Sequence, residues 1–174
     1  MKILYISKNY SIHDYQFLSA LAGTYHDVYF VRLVGSSSFE KPVPISIKQV
    51  YVKTAVVGEL RPYHLIYLLP EIDEIISTVK PDLIQAGDLL SGAFLATTDT
   101  IMENIPVISM SWGRDILYDA AQSTLSSWIV KQSLLGSDAL ICDCQTIEKA
   151  AVGFMDYIPD DFFIRIPWGV DLDK

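Results

Sequence analysis

Cysteine, histidine and positive charge are all scarce in this chain, and each scarcity closes off a class of function. The two cysteines, Cys142 and Cys144, stand in a C-x-C spacing on a strand-like segment. That spacing does not favour a bridge, and two thiols alone make no tetrahedral zinc site, so both read as small buried side chains. The three histidines, His13, His26 and His64, are scattered with no second ligand at metal spacing, and no metal site is expected. Thirteen Lys and Arg face 21 Asp and Glu, a formal charge of −8; phosphate backbones need clustered cations, so nucleic acid is not an expected partner. Long hydrophobic runs are missing as well. Stretches such as "LIYLLPEI" and "VVGEL" are broken by Pro, Gly or charge within about ten residues, short of the ~20 that cross a bilayer. The opening "MKILYISKNY" turns polar without a small-residue cleavage site, so it reads as a first strand and not as a signal peptide. A soluble, cytoplasmic protein is expected, with peripheral membrane contact left open.

Hydrophobic residues nevertheless fill 51% of the 174 positions, and the mean hydropathy is +0.29. A disordered chain is not expected, and the length suits one domain with a substantial core. The apolar surplus belongs in parallel strands or on a partner surface. Lys2 to Ser7 is a β-branched run that reads as a buried strand. Asp14 to Ala22 spaces its apolar residues three and four apart, which predicts a helix stopped at Gly23. His26 to Val34 returns to strand composition, 35–44 is a loop, and the alternation over Ile45 to Lys53 predicts a strand near an edge. From Arg61 to Val79 leucines and isoleucines trace a helical face, interrupted by Pro70, where a kink or short break is expected. Strands are then predicted over 81–86, 105–111, 137–143 and, as a buried strand, 162–166. Helices are predicted over about 89–102, about 117–135 and through "QTIEKAAVG". This alternation is the signature of an α/β fold: a Rossmann-like three-layer sandwich with a mostly parallel sheet and right-handed crossovers. No internal repeat, low-complexity tract or interior linker divides it.

Ligands of such sheets bind outside the carboxyl ends of the strands. Five segments follow predicted strands: "SKNYSIHD", "GDLLSG", "SWGRD", "DCQT" and "PWGVD". The first contains no glycine and no G-x-G-x-x-G, which removes NAD and FAD, and the absence of G-x-x-x-x-G-K-[ST] removes P-loop chemistry. Ser7-Lys8-Asn9 lacks the acidic residues of a phosphoacceptor domain and the hydroxyl and glycine supply of a flavodoxin loop. What remains is polar, aromatic and glycine-bearing. Trp112-Gly113-Arg114-Asp115 joins a ring, a tight turn, a bidentate donor and a carboxylate, and Trp168-Gly169 repeats the aromatic–glycine pair. Such surfaces suit carbohydrate or nucleoside groups.

Each candidate also has a plain structural role. His13 and Asp14 could orient an acceptor hydroxyl, or Asp14 could cap the helix after it. Arg114 could clamp a phosphate or carboxylate, or form a surface salt bridge at a helix entrance. Asp115 reads equally as the N-cap before "ILYDAA", and Gly87-Asp88 as a strand-to-helix turn. The Thr146 hydroxyl can bond a ligand or the backbone. The apolar helix with Tyr63 and Tyr67 is either buried or reaches an acceptor or lipid surface.

Taken in order, "MKILYIS", "PDLIQAGDLLSG", "PVISMSWGRDIL", "SDALICDCQTIEKA" and above all "IPWGVDLDK" resemble the N-terminal domain of GT-B glycosyltransferases of the group 1, family 4 type, over almost the whole chain. Specificity lies in the ordered set and not in any one motif. The resemblance implies sugar transfer from a nucleotide-sugar donor to a glycan or glycolipid acceptor, with retention at the anomeric carbon and with no metal or other cofactor. It implies that residues 1–174 are the acceptor-side domain. The donor nucleotide and the family's paired glutamates would belong to a C-terminal domain of the same protein, beyond Lys174, and the fragment alone would be inactive. Asn9, Tyr10, His13, Asp14, Gly87, Asp88, Trp112, Gly113, Arg114, Asp115 and Thr146 would face the acceptor or the cleft. Trp168, Gly169 and Asp171 would form the hinge, Trp168 packing on the second domain in preference to stacking on a sugar, with the edge of the core as its plain structural reading. Where many members carry a glycine-rich loop this chain has "SKNYSIHD"; where many carry His-Gly-x-Asp it has Trp112-Gly113-Arg114-Asp115, keeping the glycine and the aspartate. The usual Asn-Gly-Val-Asp is Trp168-Gly169-Val170-Asp171. Two other readings stay open: a non-catalytic α/β ligand-binding domain, and a GT-B-type sugar-nucleotide epimerase.

Overall fold

A computed structural model of the chain describes residues 1–35, 39–56, 59–99 and 104–167, without the side chains of Ala55 and Asp99. The expected hinge residues Trp168, Gly169 and Asp171 lie outside the described residues. In chain order the elements are β1 (Lys2–Ser7), α1 (Ile12–Ala22), β2 (Asp27–Val34), β3 (Lys48–Val56), α2 (Pro62–Val79), β4 (Leu83–Gly87), α3 (Gly92–Asp99), β5 (Val107–Met110), α4 (Arg114–Leu117), a 3-10 turn (Asp119–Gln122), α5 (Thr124–Leu135), β6 (Ala139–Cys142), α6 (Gln145–Val152) and β7 (Phe163–Arg165).

The seven strands form one sheet in the order β3-β2-β1-β4-β5-β6-β7, and every neighbouring pair is parallel. From β1 the chain builds outward to β3, then crosses back and continues from β4 in the other direction. The border between β1 and β4 is therefore the topological switch point, where the connections leave on opposite sides and open a crevice. Continuous apolar runs form these strands because both sheet faces are covered: Ile3, Leu4, Tyr5 and Ile6 are all buried. On one face Leu4, Ile6, Val31, Ile84 and Leu140 pack against Leu65, Leu68, Ile72 and Ile76 of α2 and Ile129 and Leu134 of α5. On the other, Ile3, Tyr5, Val28, Phe30 and Met110 meet Leu18 of α1, with Phe39 and Val43 from the β2–β3 connection. The three-layer parallel fold expected from the alternation is the fold observed.

Several boundaries differ. The helix expected over about 117–135 is three pieces, because Ser123 adopts an extended backbone (φ −158, ψ 157) and its side chain accepts the Ser126 N–H, which starts α5 afresh. The helix expected from about 89 starts at Gly92 instead, since residues 88–91 form the turn described below. The alternating strand is Lys48–Val56 and does lie at a sheet edge. α2 runs unbroken through Pro70, which sits on its exposed side, where the carbonyl left without its helical N–H partner is open to solvent. β7 is not a buried strand: Ile164 and Arg165 are exposed, because it is the opposite edge of the sheet. Cys142 is buried in β6, whereas Cys144 has left the strand to become the N-cap of α6 and is exposed. Among the described residues no helix is long and apolar enough to cross a membrane.

Candidate functional site

A cavity of about 550 Å³ opens at the carboxyl ends of the strands. Its floor comes from the residues after β1 (Lys8, Asn9), after β4 (Asp88, Leu90, Ser91) and after β5 (Trp112, Arg114, Asp115). Its walls are the segment Glu59 to Pro62 entering α2, and Asp119, Gln122 and Ser126 from the 3-10 turn and α5. It thus straddles the switch point, the place this topology reserves for a ligand.

The turn after β4 is held by side chains. Asp88 Oδ1 accepts the Leu90 N–H at 3.1 Å and the Ser91 hydroxyl at 2.8 Å. Asp115, 3% exposed, reaches across from the next turn: its Oδ2 accepts the buried Leu89 N–H at 3.0 Å and its Oδ1 the Ser111 hydroxyl at 2.8 Å. The Ser111 Oγ in turn accepts the Gly113 N–H at 3.2 Å. Gly113 sits at φ +89, a left-handed conformation that favours glycine. Gly92 is required for a different reason: a Cβ there would stand 2.2 Å from the Gly87 carbonyl oxygen and 3.0 Å from that of Ile6. Only hydrogen lets α3 approach the ends of β1 and β4 so closely.

Burial governs the carboxyls. It pushes Asp115 up to about 7, with the neighbouring Asp88 charge adding to the rise and the bonds from Leu89 and Ser111 opposing it. Burial also raises Asp88, with the Lys8 charge working against that rise. The cavity therefore offers one carboxyl poised near neutrality and serving as a brace, and a second, half-buried one whose hydrogen bonds within the described residues engage a single oxygen.

Of the expected site residues, Asn9, Asp88, Trp112, Arg114 and Asp115 are brought together around the cavity. Asp115 is not the N-cap of the helix it precedes; Gly113 holds that position, and the carboxylate is spent on the neighbouring turn. Arg114 follows its plain reading, with Nε 3.3 Å from Asp119 and a side chain 78% exposed. His13 stacks behind Trp112, ring centroids 5.2 Å apart and planes at 18°, so it backs the cavity wall. Gly87 and Gly113 are buried in its scaffold. Three residues lie away from the cleft. Tyr10, 2% exposed, points into the core between Phe30 and Phe39 and donates to the Pro42 carbonyl at 3.2 Å. Asp14 is fully buried: it accepts from the Tyr5 hydroxyl at 3.1 Å and from the Ser11 N–H at 2.8 Å. Ser11 is the N-cap of α1, and Asp14 completes the capping box from its third position. Thr146 is exposed on the first turn of α6 and does not line the cavity. Sequence reading missed Lys8, Glu59, Arg61, Asp119, Gln122 and Ser126. Lys8 lay inside a segment already singled out, but nothing local marks the other five, which reach the cavity through packing of α2 and α5.

Among the described residues no cluster of His, Cys, Asp or Glu could hold a metal ion. The family described as glycosyl transferase 4-like matches residues 2–144. No curated protein matches the chain in sequence. Among solved structures, sucrose-phosphate synthase from Thermosynechococcus elongatus superposes with a TM-score of 0.73 at 14% identity, over 99% of this chain and 49% of that one. A second structure of that synthase gives 0.67 at 16% identity, over 98% of this chain and 91% of that one. UDP-GlcNAc 2-epimerase from Methanocaldococcus jannaschii, in complex with UDP-GlcNAc and UDP, gives 0.67 at 13% identity, over 95% of this chain and 46% of that one. At such identities the likeness is one of fold. The chain spans about half the length of the longer synthase chain and of the epimerase.

Proposed function

Because the chain belongs to the glycosyl transferase 4-like family, we propose that it is the acceptor side of a two-domain enzyme that moves a sugar from a nucleotide-sugar donor to a glycan or glycolipid, with retention and without a metal. The observation that carries this reading is the coincidence of the family match over 2–144 with a cavity at the β1/β4 switch point, walled on both sides by helix entrances. In it the residues of this chain position an acceptor. Asp88 accepts a sugar hydroxyl, and the Trp112 ring, backed by His13, gives an apolar plane to a pyranose. The Asp115 brace keeps both turns in register, so that the acceptor oxygen is held where a donor gripped by the second domain can reach it. The donor's nucleotide is held mainly by that second domain, which closes the cleft and excludes water.

The glycolipid form of the acceptor is favoured by α2. Its outward side carries Tyr63, Ile66, Tyr67 and Pro70 in the half that starts at the cavity-lining Pro62 and changes to Asp73, Glu74, Ser77 and Thr78 in the other half. An apolar tail laid along the first half would keep the polar head over the cavity. The test is a product assay on the full-length protein with a panel of sugar nucleotides and of free and lipid-linked acceptors, the 174-residue chain serving as the negative control. Sugar covalently joined to an acceptor supports the reading; turnover by the 174-residue chain alone overturns it. The structural likeness to UDP-GlcNAc 2-epimerases favours a second reading, sugar-nucleotide epimerisation, and the same assay separates the two, since an epimerised nucleotide sugar would appear with no acceptor present.

A further inference from the structure

Among the described residues three cations line the cavity, Lys8, Arg61 and Arg114, and their electrostatic situations differ. Arg61 Nε lies 3.7 Å from Glu59 and Arg114 Nε 3.3 Å from Asp119. Both are rim residues, with side chains 62% and 78% exposed. Lys8 is half-buried, yet among the described residues no carboxylate comes within 4.0 Å of its ammonium. Its field reaches Asp88, but the Asp88 Oδ1 is committed to the Leu90 N–H and the Ser91 hydroxyl. The backbone holds Lys8 in place, since its carbonyl accepts the Val34 N–H at 2.9 Å and ties the loop after β1 to the end of β2. Asn9 beside it also lines the cavity and can add an amide donor. A charge withdrawn from water is ordinarily engaged by an opposite one. Among the described residues the cation stands at the crevice with no carboxylate in close contact.

We propose that Lys8, assisted by Asn9, is an anion anchor that seats a phosphate or carboxylate of the ligand at the end of β1. This rests on the sugar-transfer reading above and deepens it: the anionic group comes either from the diphosphate of the nucleotide sugar or from an acidic substituent on the acceptor sugar. Charge-assisted hydrogen bonds of this kind are the strong ones, so the anchor fixes the ligand along the cavity while neutral hydroxyls are sorted at Asp88.

The experiment is calorimetric titration of the full-length protein, Lys8→Met and Lys8→Arg with inorganic pyrophosphate, glucose 6-phosphate and glucose. Lys8→Met should weaken one phosphorylated probe by roughly tenfold or more, Lys8→Arg should recover most of it, and glucose should be unaffected. Loss confined to pyrophosphate assigns the anchor to the donor; loss confined to glucose 6-phosphate assigns it to the acceptor. Equal binding of all probes by Lys8→Met and the parent, no binding of either phosphorylated probe to the parent, or an equal loss for glucose, each overturns the proposal. An unchanged melting temperature confirms that Lys8→Met is folded. A Lys8-dependent pyrophosphate or glucose 6-phosphate affinity in a protein that forms no glycosidic product would keep the anchor and refute sugar transfer, so the two fail separately.

Discussion

Asp115 carries most of the weight at the scale of single residues. Its carboxyl joins the turns after β4 and β5 through the Leu89 N–H and the Ser111 hydroxyl, so Asp115→Ala strands a buried donor and should cost about 1–3 kcal/mol in urea unfolding at neutral pH. The same carboxyl makes stability depend on pH, in a sense that follows from the direction of its shift. The folded state holds the proton up to about 7, against 3.8 for the ordinary group. The stability gained is therefore whole below about 3.8, falls as pH rises and is gone beyond about 7. Urea midpoints should drop between about pH 4 and 7, and Asp115→Asn, which cannot titrate, should show a smaller drop; an equal drop would assign the effect to other groups. Asp88→Asn keeps an oxygen for the Leu90 N–H and the Ser91 hydroxyl but lowers acceptor basicity. If the proposed function holds, it should raise the acceptor KM several-fold with little change in stability.

The elements set how close these residues can come. α3 touches the ends of β1 and β4 through Gly92, so Gly92→Ala, with its Cβ 2.2 Å from a carbonyl oxygen, should lose about 2–3 kcal/mol by overpacking. Gly23→Ala meets its nearest atom at 3.4 Å, and thermal melts should find it close to neutral. α5 begins at Ser123, whose side chain accepts the Ser126 N–H at 3.0 Å; Ser123→Ala should cost about 1 kcal/mol, measurable as a lower melting temperature. That cap was hidden in the sequence because Leu117, Leu125 and Ile129 keep a helical spacing across the break. In contrast, β1, β4 and β6 were legible, since an apolar run too short for a buried helix and bounded by polar residues leaves little but a central strand.

At the scale of the whole molecule the described residues form one layered unit with this cavity on a single rim, and the chain spans about half the length of the epimerase and of the longer synthase chain of similar fold. On the proposed reading this domain is one side of a cleft, and one side can bind but cannot exclude water or aim a donor, so transfer is expected only from the two-domain enzyme. The cavity's own composition was only partly legible. Asn9, Asp88, Trp112, Arg114 and Asp115 follow strands in the sequence and so could be placed on the rim in advance. Glu59, Arg61, Asp119, Gln122 and Ser126 could not, because their arrival depends on where α2 and α5 cross the sheet.

Periodicity and the run of short apolar strands settled the layered parallel fold and the edge on which a ligand would sit, because both follow from burying backbone and side chains in a repeating pattern. The direction of each polar side chain was settled only by three-dimensional packing. Asp14 and Tyr10 turned inward because Tyr5, Ser11 and Phe30 offered partners there. Asp115 turned toward the adjacent loop because Leu89 needed an acceptor, and Lys8 was left facing the crevice. Hydrogen bonds and charges are satisfied by neighbours in space, and some of those that orient the site, such as Leu89 for Asp115 and Pro42 for Tyr10, are far away along the chain.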